Sequence, residues 1–478
     1  MNYRMIFYIL GWVLNIEAAA LVLPAVCAII YNDSGLLAIS LSILICLVAS
    51  VPLTSMPPKN KTMYAREGFV TVALSWIALS LFGSFPFIIS GYIPNFFAAF
   101  FETVSGFTTT GASILSDVES LPKSLLFWRS FTHWLGGMGV LVFLVSLLPL
   151  SGGQNLHLIR AESTGANVTK LVPKVKRTAG ILYTIYLAMT VLQIVFLLFG
   201  KMSLFDAITT AFGTAGTGGF GIRNDSIASY SPYIQNVVTV FMILFGVNFS
   251  LYYLLLCGKI KSVLKSEEFR AYFGIIFLSI AIICFNCRHI FDSLGELIRH
   301  SAFQVGSIIT TTGFMTSDFD KWPELSKAVL VFLMLTGACA GSTGGGIKIS
   351  RIIVLLKSIV KEIRVASRPG LTKKITLDNR LVEHETIRAI NVFIVSYLVI
   401  LVLSVLLISV DNHDFTTNVT AVISALSNIG PGLGSVGPTQ NFSIFSNFSQ
   451  FILSVNMLIG RLEIFPILIL FTPYTWKK

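Results

Sequence analysis

The chain has 478 residues, of which 54% are hydrophobic and only 12% charged, and its formal net charge is +11. Soluble domains carry about 25% charged residues, and half that share leaves too little polar surface to cover a water-soluble particle of this size. A soluble enzyme, a disordered chain and a disulfide-framed secreted scaffold are thereby excluded, and the positive charge proves positional, with no implication of nucleic acid.

Stretches without Asp, Glu, Lys or Arg cover 34–58, 68–101, 130–159, 178–200, 226–258, 389–410 and 415–460. A bilayer core takes roughly 20 helical residues, whereas a transmembrane β-barrel would show segments of about ten with alternating polarity. The predicted class is therefore an all-α polytopic membrane protein. Two spans lead, near Met5–Ile30 and Leu36–Val51; Glu17 inside the first and the span directly after it argue against a cleavable signal.

From there one unit repeats four times. A long apolar span is followed by a shorter segment, a Thr/Gly-rich run, polar residues and a returning span. The shorter segments are Asn95–Thr108, Ser203–Ala215, Asp292–Thr310 and Phe415–Ser427, too short to cross comfortably. They run into Thr109-Thr110-Gly111-Ala112, Thr217-Gly218-Gly219-Phe220, Thr311-Thr312-Gly313-Phe314 and Asn428-Ile429-Gly430-Pro431-Gly432. The predicted division is 1–62 for the leading helices, then pore units at 63–150, 178–258, 268–366 and 384–478, giving ten crossings and four re-entrant helices.

Turns at 54–67, 150–177, 258–270 and 348–388, together with Arg4, Lys477 and Lys478, hold 25 of the 34 basic residues. The excess of Lys and Arg places these turns and both termini on the cytoplasmic side. The opposite turns carry Asp33, Asp117, Glu119, Asp225, Asp292, Asp318, Asp320, Asp411 and Asp414, which either attract cations or are ordinary solvated loops.

Irregular backbone at membrane depth is tolerated only where it is buried in protein or lines water. Four re-entrant helices, each followed by a Gly-centred strand, predict a pore with the strands around its axis, their carbonyls replacing a cation's hydration shell. The C-terminal ends of the short helices, each carrying about half a negative charge, would aim at the pore. In the third returning span, Gly337-Ala338-Cys339-Ala340-Gly341-Ser342-Thr343-Gly344-Gly345-Gly346 holds five glycines in ten residues. Each costs about 1 kcal/mol in a helix interior, so an unwound loop is expected, lining a cavity; close helix packing through small residues is the alternative. Arg461 stands in the last charge-poor region, where an intramembrane Arg faces a cavity or a partner. It reads as an electrostatic plug or as an ion pair with Glu463. Lys348 ends the glycine run and either joins that work or snorkels to the inner edge. Glu102 and Asp206 lie on short helices as structural supports or cation-entry groups.

Two motifs are decoys. Gly216–Gly221 matches G-x-G-x-x-G without the strand a dinucleotide site needs, and Gly341–Lys348 only approximates a phosphate-binding loop. Cys284 and Cys287 read as buried thiols, the six histidines are dispersed, and no catalytic constellation or organic cofactor site stands out.

The chain resembles the Trk/Ktr/HKT superfamily of potassium transporters, in its TrkH-type branch, over essentially its whole length. The resemblance rests on F-F-E-T-V-S-G-F-T-T-T-G-A-S at 100–113, W-L-G-G-M-G at 134–139, F-D-A-I-T-T-A-F-G-T-A-G-T-G-G-F at 205–220, G-V-N-F-S-L-Y-Y at 246–253, A-G-S-T-G-G-G-I-K at 340–348, S-N-I-G-P-G-L-G at 427–434 and I-G-R-L-E-I-F at 459–465. It implies K⁺ (or Rb⁺) uptake at the cytoplasmic membrane through a pseudo-fourfold pore, a homodimer, and control by a cytosolic nucleotide-binding ring such as TrkA; the basic turns fit that partner or anionic lipid equally. Carried over by position, the filter glycines are Gly111, Gly219, Gly313 and Gly430, with Thr109, Thr110, Gly218, Thr311, Thr312 and Ile429 beside them. Na⁺-preferring plant relatives have Ser at the first of these positions, so Gly111 favours K⁺. The gate implied is Gly341, Ser342, Thr343, Gly344, Gly345, Gly346 and Lys348, with Arg461 in the pore below the filter. The alternative mechanism is an H⁺- or Na⁺-coupled secondary transporter.

Overall fold

The leading apolar stretches form α1 (Tyr3–Tyr31) and α2 (Leu36–Thr54). Asn32 ends α1 with a left-handed backbone, φ 49°, its N–H returning to the Ala28 and Ile29 carbonyls, a conformation Asn tolerates better than most residues. The structure is a computed structural model that describes residues 1–55, 57, 58, 60, 63–137, 139, 175–368 and 374–476. Most of the basic turn expected at 150–177 lies outside the described residues, as do Lys59, Lys61, Lys477 and Lys478.

The four units follow in order. The first comprises α3 (Ala65–Phe82), α4 (Phe85–Ile89), the short helix α5 (Phe96–Phe107) and α6 (Lys123–Gly137). The second has α7 (Val175–Phe199), the short α8 (Leu204–Ala215), α9 (Pro232–Phe245) and α10 (Phe249–Leu256). A linker helix, α11 (Ile260–Lys265), leads to the third, built from α12 (Glu267–Asn286), the short α13 (Leu294–Ile309), α14 (Glu324–Thr336) and α15 (Ile349–Ser367). A hairpin of β1 (Thr376–Leu377) and β2 (Arg380–Leu381) precedes the fourth, which comprises α16 (His384–Ile408), the short α17 (Phe415–Ser427), α18 (Asn447–Arg461) and α19 (Phe465–Leu470).

The short helices start where the sequence supplies a cap. Asn95, Ser203, Ser293 and Asp414 each accept a hydrogen bond from a first-turn N–H, satisfying a donor that a helix start otherwise leaves unpaired. Nearly every residue of α5 and α17 beyond the first turn is buried, Glu102, Thr420 and Asn418 included.

Outer helices are different. On α16, Val395, Leu398, Val399, Val402, Leu403 and Leu406 are all exposed, a surface suited to acyl chains rather than water. Inside, one apolar cluster joins α1 to units one and four through Val13, Trp76, Trp128 and Leu453. A second centres on Tyr186, Phe245 and Phe249 of unit two and takes in Phe303 and Phe314 of unit three. In a bilayer such contacts stabilise by close packing more than by removal of apolar surface from water.

The sequence reading expects ten crossings, with only the third returning span interrupted. Six helices among the described residues are long and apolar enough to cross alone, and α9 with α10 makes a seventh that bends by 92°. The described returning spans of units two, three and four are all divided, at 246–248, 337–348 and 462–464. The glycine run foretold the middle break alone.

Candidate functional site

Each short helix ends in the same backbone geometry. Thr109, Thr217, Thr311 and Asn428 have φ of 55°, 53°, 57° and 58°. The following N–H, on Thr110, Gly218, Thr312 or Ile429, donates to the carbonyl five residues back at 2.8–3.0 Å. This is a helix stop usually made by glycine; a β-branched residue there is an outlier costing about 1–3 kcal/mol. Next but one comes a glycine, Gly111, Gly219, Gly313 or Gly430, with φ of 80°, 79°, 84° and 105°. Alternating the sign of φ turns successive carbonyls toward one side of a strand, and glycine accepts the second positive value without strain.

The four strands close into a ring. A Cβ on Gly111 would stand 2.0 Å from the Gly218 carbonyl oxygen, one on Gly219 1.9 Å from that of Thr312, and one on Gly313 2.1 Å from that of Ile429. A Cβ on Gly430 would stand 2.9 Å from the Thr110 carbonyl oxygen, bringing the cycle back to its start. Each of these four glycines thus abuts the equivalent carbonyl of the next unit. The closing joint has its own tie: Asn428 Nδ2 donates to Thr110 Oγ1 at 2.9 Å and to the Met457 carbonyl at 2.9 Å. Strands one and three share a Thr–Thr hydroxyl pair, Thr108 with Thr110 and Thr310 with Thr312, both at 2.8 Å.

Buried polar groups behind the ring fix it. Glu102 on α5 accepts from Ile114 N–H at 2.9 Å and Ser113 Oγ at 3.0 Å, just beyond Gly111, and pairs with Arg129 of α6 at 2.6 Å. The Arg129 guanidinium lies 3.5 Å from the Phe220 ring centroid and donates to the Gly221 carbonyl at 2.8 Å. His133, also on α6, accepts the Phe220 N–H on Nε2 at 3.2 Å, which leaves the proton on Nδ1, 2.8 Å from the Gly106 carbonyl. The sequence reading treats His133 as one of six scattered histidines and passes over Arg129; both act across units, on residues some 90 positions away. Asp206 accepts a hydrogen bond from Tyr230 Oη at 3.0 Å.

The interruption at 337–348 lies directly below the ring. Thr311 Oγ1, at the base of strand three, accepts the Gly345 N–H at 2.6 Å. A Cβ on Gly345 would meet the Ser427 carbonyl oxygen at 2.2 Å, under strand four. Toward unit two, Cys339 N–H donates to the Gly246 carbonyl at 3.1 Å and Phe249 N–H to the Gly341 carbonyl at 3.0 Å. Thr343 Oγ1 bonds the Phe245 carbonyl at 3.3 Å. The break between α9 and α10 therefore exists where the loop docks into it, and Asn248, whose side chain caps α10 through Ser250 N–H, faces Gly341.

Arg461 reaches this loop from the end of α18. It donates to the Thr343 carbonyl at 2.9 Å and to the carbonyls of Gly136 and Gly137 at the end of α6, the latter at 3.1 Å. Glu463 is not its ion-pair partner; that carboxylate pairs with Arg351 of α15. Lys348 is 2% exposed and its ammonium donates to the Gly344 carbonyl of its own loop, so it does not snorkel. Loop and Arg461 together touch all four units.

Fold and site define a polytopic helical membrane protein whose four quasi-equivalent units converge on one ring of backbone, the design of a transport protein. The sequence profile described as TrkH, cation transport protein, matches residues 37–478. The chain is 35% identical over 487 residues to the Trk system potassium uptake protein TrkH of Salmonella typhimurium, covering 100% of each. It is 30% identical to TrkG of Escherichia coli, covering 100% of this chain and 99% of that one. The crystal structure of the potassium transporter TrkH from Vibrio parahaemolyticus superposes with a TM-score of 0.90 at 31% identity, covering 100% of both chains. The chain belongs to the TrkH family.

Proposed function

We propose that this chain takes up potassium across the cytoplasmic membrane by a channel-like route. The carbonyls of Thr109, Thr110, Gly111, Gly218, Gly219, Thr311, Thr312, Gly313, Ile429 and Gly430 line the filter, and the loop Gly341–Gly346 with Lys348 and Arg461 gates it. The observation that carries this reading is the closed cycle in which each filter glycine abuts the next unit's carbonyl. Such a ring offers oxygens in place of a hydration shell, with four helix C-terminal ends behind it. K⁺ (or Rb⁺) is the cargo; the potassium-uptake names of the relatives support that choice. The loop bears against strands three and four and holds a cationic guanidinium beneath them, which opposes cation passage.

The further parts of the proposal are a homodimer in the inner membrane, both termini cytoplasmic, and control by a cytosolic nucleotide-binding partner of the TrkA kind. The basic turns supply its contact surface or a contact to anionic lipid. The units are 63–150, 178–258, 268–366 and 384–478, after leading helices in 1–62.

The test is ⁸⁶Rb⁺ uptake into proteoliposomes containing the purified protein. The expected result is uptake driven by the Rb⁺ gradient alone and competed by K⁺ far better than by Na⁺. Uptake that requires an H⁺ or Na⁺ gradient would replace the channel-like reading with coupled transport.

A further inference from the structure

Glu268 is a buried carboxylate in the first turn of α12. Its Oε1 accepts the Ala340 N–H at 2.7 Å and the Ser350 N–H at 3.2 Å. These two amides flank the intramembrane loop, one as the chain enters it and the other as α15 begins. A broken helix strands such donors at membrane depth, where an unpaired N–H is costly. A single carboxyl oxygen answers both.

The preceding residue faces the cytoplasmic hairpin. Glu267 N–H donates to Asp378 Oδ1 at 2.6 Å, and the Asp378 N–H returns to Glu267 Oε1 at 3.1 Å. Lys357 of α15 pairs with the Glu267 carboxylate and donates to the Thr376 carbonyl at 2.8 Å. Asp378 and Asn379 form the hairpin turn with φ of 51° and 61°, the two positive values of a tight type I′ turn. Adjacent residues of one helical turn thus hold the hairpin on one side and both ends of the loop on the other.

We propose that Glu268 is the positioning residue that keeps the intramembrane loop closed, and that the hairpin at 376–381 is the lever through which a cytoplasmic event moves it. The inference rests on the reading of 341–346 as the gate. A shift of the hairpin displaces the start of α12, lengthens the bonds from Glu268 to Ala340 and Ser350, and frees the loop to withdraw from Thr311 and Ser427. The linkage is short: the two sets of contacts are made by adjacent residues of α12.

The experiment is Rb⁺ flux in proteoliposomes of the full chain, comparing wild type with Glu268→Ala, Glu268→Gln, Asp378→Ala, the double variant Glu268→Ala/Asp378→Ala, and a loop shortened within 342–346. Glu268→Ala should raise flux about tenfold, the change that 1.4 kcal/mol in a gate equilibrium produces, with the K⁺/Na⁺ preference unchanged. Glu268→Gln, which keeps an accepting oxygen, should restore part of the closure. Asp378→Ala on the exposed hairpin should raise flux in the same direction, and the double variant should exceed Glu268→Ala by nothing, because both act through one contact chain. If the shortened loop conducts while Glu268→Ala and Asp378→Ala match wild type, the latch is wrong and the gate stands. If the shortened loop also stays silent in a folded protein, the gate reading itself falls. Should Glu268→Ala not fold, Asp378→Ala carries the same prediction from outside the core.

Discussion

Arg461 and Thr343 are joined by a hydrogen bond of 2.9 Å between the guanidinium and a loop carbonyl, although 118 residues separate them. On the proposed reading of 341–346 as the gate, the guanidinium is anchored to the gating segment, so that charge and steric obstruction act as one body.

Replacing Arg461 by Ala removes the charge and three carbonyl contacts together. A hydrogen bond to a charged group contributes roughly 1.5–3 kcal/mol, so Rb⁺ flux should rise at least about tenfold. Arg461→Lys keeps the charge without the fork and should fall between the two. Lower flux in a well-folded Arg461→Ala protein would contradict the plug.

Substitution of the filter glycines should follow their clearances. A Cβ meets a backbone oxygen at 2.0, 1.9 and 2.1 Å on Gly111, Gly219 and Gly313, but at 2.9 Å on Gly430. Ser at any of the first three should abolish K⁺ preference or flux, whereas Gly430→Ser should be the mildest. Competition of Rb⁺ uptake by K⁺ and Na⁺ gives the ranking; equal effects at all four positions would count against the ring.

Glu102 and Arg129 form a buried pair with side-chain exposures of 0% and 3%. Removing one partner of such a pair typically costs about 3–5 kcal/mol. Glu102→Gln should lower the melting temperature in detergent, and Glu102→Gln/Arg129→Met should recover part of that loss. Strictly additive losses would show that the two groups act independently.

Asp414 caps the start of α17. The Thr417 hydroxyl and N–H, both bonded to its carboxylate, hold its pKa below the ordinary carboxylate value. A lowered folded-state pKa means that the carboxylate's contribution is complete above the unfolded value and is lost as pH falls through the folded one. Between neutral pH and pH 3, thermal stability should therefore decline less steeply in Asp414→Asn than in wild type. Parallel curves would remove Asp414 from the acid response.

The ring was legible because its residues are local. Thr109–Gly111, Thr217–Gly219, Thr311–Gly313 and Asn428–Gly430 repeat one pattern, and each short helix begins at a residue whose side chain can cap it. The other breaks were not legible. Glu463 and Ile464 adopt φ of 57° and 71° between Gly460 and Pro466, held there in part by Arg351 from 112 positions earlier. Nothing in a local pattern announces a β-branched residue in a left-handed conformation. The same holds for His133, whose role depends on Gly106 and Phe220 arriving on either side of its ring. Glu268 likewise looks like an ordinary first-turn acid until the loop ends are seen bonded to it.

The hydroxyl pairs of strands one and three have no counterpart in strands two and four, where Gly216 and Gly218, and Ser427 and Ile429, occupy the equivalent places. A filter assembled from identical subunits changes on every side at once when its gene changes at one codon. Here one codon alters a single quadrant and leaves three as they were, so that, with the ring acting as the proposed filter, ion preference would be tuned in small, separable steps.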